Sequence, residues 1–167
     1  MTADLWVPPA RDTELVGWHG HARLEKYWAD DDLTRATPYE VVEAENLMLT
    51  AGATLVLNRL AGISATAIDG TNGRMCVGDG TTAVSAGQTD LQGSNKFRKV
   101  FDAVPTVSGN QLQCVTTYLT SEANFAWNEA GIANSASGAT LVNRFLQSFG
   151  TKSNSLQWIL TITVTLS

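Results

Sequence analysis

Residues 156–166 read LQWILTITVTL, and two kinds of side chain alternate along this run. A period of two over so many residues predicts a β-strand with one apolar face and one threonine face. The apolar face belongs in a core, where each side chain would contribute about 1.5–3 kcal/mol. The threonine face suits solvent or a subunit contact. The apolar positions are Trp158, Leu160, Ile162, Val164 and Leu166, and the threonines are Thr161, Thr163 and Thr165.

Upstream of this run, turn signals recur at short intervals from Gly62 onward, and short apolar runs lie between them. Many short strands at such spacing predict an all-β sandwich or barrel. We therefore expect a mainly β protein built as an antiparallel, jelly-roll-like β-sandwich. The predicted strands lie within residues 75–77, 96–107, 111–119, 125–133, 139–149 and 156–166.

One helix is predicted over residues 50–61. Thr50 is a candidate N-cap, and Gly62 stands where a glycine ends a helix. Ala53, Val56, Leu57 and Leu60 follow the spacing i, i+3, i+4, i+7, which predicts one apolar stripe facing the sheet.

The first 50 residues predict an arm and a hairpin. Pro8-Pro9 disfavours both helix and central strand, so residues 1–13 are expected to form an extended N-terminal arm. Residues 14–28 and a second run around Tyr39–Glu43 would pair across a turn at Asp30–Asp32. The predicted organisation is an arm over residues 1–13 and a single β-sandwich domain over residues 14–167.

Composition disfavours several classes of function. The chain has 167 residues, 16% of them charged, and a net charge of -5. An acidic chain with scattered Lys and Arg is a poor binder of nucleic acid. No segment has the pattern of a signal peptide, and no run of about 20 apolar residues predicts a membrane span. We expect a protein made in the cytoplasm that binds neither nucleic acid nor membrane.

The sequence offers little for catalysis or for a cofactor. His19 and His21 would share one strand face, and Asp30–Asp32 could add a carboxylate, but a metal site needs more ligands at fixed geometry. Asp69–Gly73 resembles a calcium loop only in its oxygen content and is better interpreted as a turn. Cys76 and Cys114 lack metal-site spacing and predict buried thiols, although a single bridge between them stays open. We expect no cofactor and no enzyme activity; an enzyme using the two histidines is the remaining alternative.

Five tryptophans are many for this length. Trp127 and Trp158 are expected in the core, whereas Trp18 and Trp28 would pack the hairpin against the sheet. Aromatic side chains on a β-sandwich face can also stack on sugars. A carbohydrate- or receptor-binding module is therefore an alternative function.

Five segments, in this order, resemble a recurring family of tailed-bacteriophage structural proteins. They are GWHGHA at 17–22, NLMLTAG with TLVLNRLAG at 46–62, VGDGTTA at 77–83 with Ala86, Thr89 and Leu91, NEAGIAN at 128–134 with Gly138 and 141–144, and a closing strand from Lys152 through 156–167. The longer arm and the insert at 30–37 depart from the pattern.

This resemblance implies a β-sandwich virion protein without catalytic residues, namely a capsid decoration or cement protein. A tail, collar, baseplate or fibre-attachment protein is the alternative. In the leading interpretation the chain would act as a homo-oligomer, trimeric or dimeric, bound to other virion proteins such as the major capsid protein. The residues expected to make partner contacts are Trp6, Val7, Pro8, Pro9, Trp18, Trp28, Asp30, Asp31 and Asp32.

Overall fold

The computed structural model describes residues 17–138 and 140–166, apart from the side chain of Leu47. The predicted arm, with Trp6, Val7, Pro8 and Pro9, lies outside these residues. The described part contains one helix, α1 (Thr50–Leu60), and nine strands. The strands are β1 (Trp18–Trp28), β2 (Glu40–Met48), β3 (Arg74–Gly78), β4 (Lys96–Val100), β5 (Thr106–Ser108), β6 (Gln111–Tyr118), β7 (Ala126–Ala133), β8 (Asn143–Thr151) and β9 (Leu156–Leu166).

All nine strands belong to one antiparallel sheet, in the order β4-β3-β7-β8-β2-β1-β9-β6-β5. Strand β2 joins its two halves, since residues 40–45 pair with β1 and residues 46–48 pair with β8. The sheet curls at this strand into a half-barrel whose halves face each other. The Tyr118 hydroxyl of β6 donates across the gap to the Met75 carbonyl of β3 at 3.2 Å. The predicted mainly β, antiparallel architecture with one short helix is confirmed.

Strand β9 lies between β1 and β6, as its alternating pattern predicts. Four of the five side chains on its predicted apolar face are buried, and the fifth, Leu166, is exposed at the strand end. Trp158 contacts Trp127 edge to face, with ring centroids 4.8 Å apart, and Trp127 contacts Tyr118 in the same way at 4.7 Å. Aromatic pairs of this geometry add about 0.5–1.5 kcal/mol beyond their buried area. The prediction that Trp127 and Trp158 are core residues is confirmed.

The helix lies where the sequence predicts it, but its buried face differs from the prediction. Gly52 and Leu55 are buried, whereas Leu57 and Leu60 of the predicted stripe are exposed, Leu60 by 83%. A Cβ atom on Gly52 would lie 2.2 Å from the Val142 carbonyl oxygen, so the helix approaches the protein most closely at a glycine. A search for regularly spaced apolar side chains does not count glycine, so it could not identify the face on which Gly52 lies. The predicted stripe was therefore wrong.

The helix ends also differ in part. Leu49, not Thr50, is the N-cap, and no side chain caps the first turn. At the other end, Gly62 has φ +70°, as a terminating glycine should. The Ile63 amide donates to the Asn58 carbonyl at 2.8 Å and the Gly62 amide to Arg59 at 3.3 Å. These two bonds form a Schellman motif, which satisfies the last carbonyls of the helix.

Candidate docking surface

An ion pair between Glu129 of β7 and Arg144 of β8 is the most buried charged group in the described part. Both side chains are 0% exposed, and the Arg144 Nε donates to Glu129 Oε2 at 2.6 Å. Arg144 also donates through Nη1 to the Thr82 carbonyl at 2.9 Å and to Gln88 Oε1 at 3.1 Å. A buried pair needs additional hydrogen bonds to offset the desolvation of its charges. Nε and Nη1 of Arg144 have such partners, whereas Nη2 has none among the described residues.

The Glu129 carboxylate organises the long connection between β3 and β4. It accepts backbone N–H bonds from Gly80 at 3.2 Å, Gln92 at 2.9 Å and Gly93 at 2.8 Å. A Cβ atom on Gly80 would lie 2.5 Å from the same carboxylate, so the loop needs glycine to come this close. Gly80 of the segment at 77–83 and Glu129 of the segment at 128–131 therefore have an internal, structural role.

Other reactive side chains also serve the fold. Cys76 and Cys114 are buried free thiols, and burial raises the pKa of each to about 12, so the prediction of buried thiols is confirmed. Burial lowers the pKa of Lys152 to about 8, and its Nζ donates to the Leu119 carbonyl at 2.6 Å and to Asn124 Oδ1 at 3.2 Å. The Glu122 carboxylate accepts from Lys99 Nζ at 2.5 Å.

The two histidines do not meet the carboxylates predicted as companions. His19 and His21 share the outer face of β1, and His21 Nε2 lies 3.9 Å from Glu43 Oε2. Asp30–Asp32 follow Trp28 at the opposite end of the strand. His21 and Trp28 are roughly 23 Å apart along the strand, at about 3.3 Å per residue. Among residues 17–138 and 140–166, no three His, Cys, Asp or Glu side chains come together as metal ligands. Asp69 closes a turn by accepting the amides of Thr71 and Asn72, which confirms the turn prediction.

Two partly exposed surfaces lie at the two ends of β1. Trp18 at one end and Trp28 at the other are about 33 Å apart along the strand. The first is the aromatic corner, formed by Trp28, Tyr39 and the Asp30–Asp32 turn. Trp28 is 52% exposed and stacks on Tyr39 with centroids 4.7 Å apart. The Trp28 amide donates to Asp31 Oδ2 at 2.8 Å, and Asp32 Oδ1 accepts from the Thr34 amide and hydroxyl, which lowers the Asp32 pKa.

The second surface is the end groove, a cavity of about 250 Å³ at the other end of β1. Its walls come from β1, α1, the β5–β6 hairpin and β9, and they are mostly apolar. Val107 at the hairpin is 74% exposed, and Leu166 at the end of β9 is about half exposed. The apolar lining consists of Trp18, Val56, Val107, Leu112, Val164 and Leu166.

The predicted contact residues that lie within residues 17–138 therefore fall into two groups that do not meet. Trp18 lies in the end groove, and Trp28 with Asp30, Asp31 and Asp32 forms the aromatic corner. The sequence reasoning missed Tyr39, Val107 and Leu166. A pattern signal existed for Leu166, which continues the apolar face of β9 past the last core position. Val107 gave none, since its place follows only from the curl of the sheet.

Comparison with family models, curated proteins and solved structures found no match to this chain. The likeness to tailed-phage structural proteins therefore rests on the quoted motifs. In the described part of the chain, no helix is long and apolar enough to cross a membrane.

Proposed function

We propose that this chain is a non-enzymatic structural component of a tailed-phage virion, most specifically a capsid decoration or cement protein. The observation that carries the proposal is that buried charged side chains and exposed apolar side chains serve different purposes. Glu129 and Arg144, which could otherwise serve a catalytic or binding site, form hydrogen bonds inside the protein. Large apolar side chains are instead exposed in the end groove, on α1 and at the aromatic corner. Such clustered exposed apolar surface is typical of protein-binding sites.

The proposed mechanism is mechanical. The domain would lie across the joint between two capsid units and bury surface on both of them. Standard interfaces bury about 1,200–2,000 Å². Linked contacts repeated by symmetry raise the overall attachment through effective concentration, without a deep pocket in any single copy. The two surfaces at opposite ends of β1 suit a protein that contacts different neighbours with each end.

The test is imaging of the native particle, combined with mass spectrometry of its protein content. We expect this chain in the particle at a fixed copy number, with density over joints of the capsid. Density on the tail, collar or baseplate instead would overturn the decoration role and favour the tail-component alternative. Absence from purified particles would overturn the virion assignment.

One observation favours a second candidate function, binding of carbohydrate. The stacked and exposed Trp28 and Tyr39 rings form an aromatic platform beside three carboxylates, and aromatic platforms can stack on sugar rings. A glycan array with the wild-type chain and with Trp28→Ala tests this function. Binding that disappears in the variant supports it, and silence of the wild-type chain rejects it.

A further inference from the structure

The end groove has the size and chemistry of a receptor for one apolar anchor. Its volume of about 250 Å³ lies below the roughly 300–1,000 Å³ of pockets that enclose drug-sized ligands. Its lining is mostly apolar, and two of the apolar members, Val107 and Leu166, face solvent. A bulky side chain on a short extended segment would fill such a groove and remove these side chains from water.

The chain itself supplies such a segment. Residues 5–9 read Leu-Trp-Val-Pro-Pro, with three large apolar side chains followed by two prolines. Proline restricts its own φ and favours extended backbone in the residue before it. A segment whose sequence favours extended backbone would lose less conformational entropy on docking in that form. Tryptophan is also among the residue types enriched at binding hot spots.

The segment joins the domain beside the groove. Trp18 lines the groove, and residues 1–16 precede it directly in the chain. Residues 10–16, which connect the anchor to Gly17, contain no glycine and no proline, and Asp12 is their one member of the residue types that dominate turns. A return into the groove of the same chain would require a sharp reversal within these seven residues, so we commit to a second copy as the source of the arm. Seven residues reach about 24 Å when extended, which sets the distance within which a second copy would have to place its groove.

We infer that the end groove receives residues 5–9 of a second copy of this chain, with Trp6 as the anchor. The inference rests on the proposed function, because it specifies how copies in the virion hold one another. Since each copy then offers one arm and one groove, reciprocal or cyclic exchange closes the assembly as a dimer or a ring.

Sedimentation equilibrium of the full chain tests the inference, with Trp6→Ala removing the anchor and Val107→Asp placing a charge in the groove. Val104→Asp is the matched control, since Val104 is 71% exposed and lies outside the groove. We expect the wild-type chain to self-associate. The association constant of each of the first two variants should be at least about ten-fold lower. The control should behave as the wild type. All variants should retain the wild-type circular dichroism spectrum, because Val107 and Val104 are surface positions.

Mixing distinguishes exchange between copies from other contacts. The Val107→Asp chain keeps its arm and the Trp6→Ala chain keeps its groove, so their mixture should associate more tightly than either variant alone. A monomeric wild-type chain, sensitivity to Val107→Asp without sensitivity to Trp6→Ala, or a mixture no tighter than its parts would each overturn the inference. None of these outcomes affects the presence of the chain in the particle, so the proposed function fails or stands by its own test.

Discussion

Glu129 shows at the scale of one residue how a carboxylate is stabilised away from water. Desolvation of a charge costs several kcal/mol, and four donors offset this cost: the Arg144 guanidinium and the amides of Gly80, Gln92 and Gly93. The residue stands out in the sequence only as one of 16 acids. Its role depends on glycines 36 and 49 positions away, so no local pattern could predict it.

Glu129→Gln should lower the free energy of unfolding by about 3 kcal/mol, because it leaves Arg144 as an unpaired buried charge. The amide also turns an N–H group towards backbone donors. Urea denaturation measures the loss, with Glu43→Gln as the control, since that side chain is mostly exposed and should change stability by less than about 0.5 kcal/mol. Equal small effects of both substitutions would show that the buried pair does not hold the loop.

Lys152 makes the free energy of unfolding depend on pH in the alkaline range. Burial lowers its folded pKa to about 8, below the 10.5 of a free lysine. Between these values the unfolded chain binds more protons than the folded one, so the free energy of unfolding rises with pH across that window. The full penalty of the buried charge remains below about pH 8.

The comparison with Lys152→Met isolates this effect. From pH 8 to pH 10 the wild-type chain should gain about 2 kcal/mol relative to the variant. Urea denaturation at a series of pH values measures the difference. Parallel pH profiles for the two chains would mean that Lys152 titrates as an ordinary exposed lysine.

At the scale of elements, the sequence predicts strands better than helix faces. Strand β9 follows a period of two from Leu160 to Leu166, and its pairing with β1 and β6 buries four of the five predicted side chains. The hairpin of β1 and β2 is also confirmed. The helix lies at the predicted residues, but its buried face is not the predicted one, because the helix packs through Gly52 against the backbone of Val142. Backbone approach at a glycine is a tertiary property, and apolar spacing does not contain it.

The helix orientation predicts unequal effects of two similar substitutions. Leu55→Ala should destabilise the protein by about 2–4 kcal/mol, because it removes buried methyl groups and leaves a cavity. Leu60→Ala, at an exposed position of the same helix, should change stability by less than about 0.5 kcal/mol. Thermal or urea unfolding of both variants measures the contrast. A larger loss for Leu60→Ala would restore the stripe predicted from the sequence.

At the scale of the whole molecule, the curled sheet determines which surfaces are free for partners. Its edges are β4 and β5 in the described part. Strand β4 carries Lys96, Arg98 and Lys99, and β5 has only three residues. Charged and short edges disfavour strand pairing with another chain. Contacts with other chains would therefore use side-chain surfaces, such as the end groove and the aromatic corner.

The candidate surfaces could be predicted only in part. The sequence singles out Trp18 and Trp28 as candidate contact residues, but the end groove combines five separate elements of the chain. Its assembly requires the sheet to curl so that the β5–β6 hairpin and the end of β9 come beside α1. Sequence patterns give the faces of single strands and leave such combinations undetermined.

The most direct test of the account is rebinding of purified chain to particles assembled without it. The full chain and a truncated chain comprising residues 14–167 would be compared by quantitative sedimentation with the particles. We predict saturable binding of the full chain and about ten-fold weaker binding of the truncated chain, with unchanged circular dichroism, as expected of an arm that contributes contacts to neighbours and leaves the domain fold unchanged. Failure of the full chain to bind, or equal binding of both chains, would contradict the account.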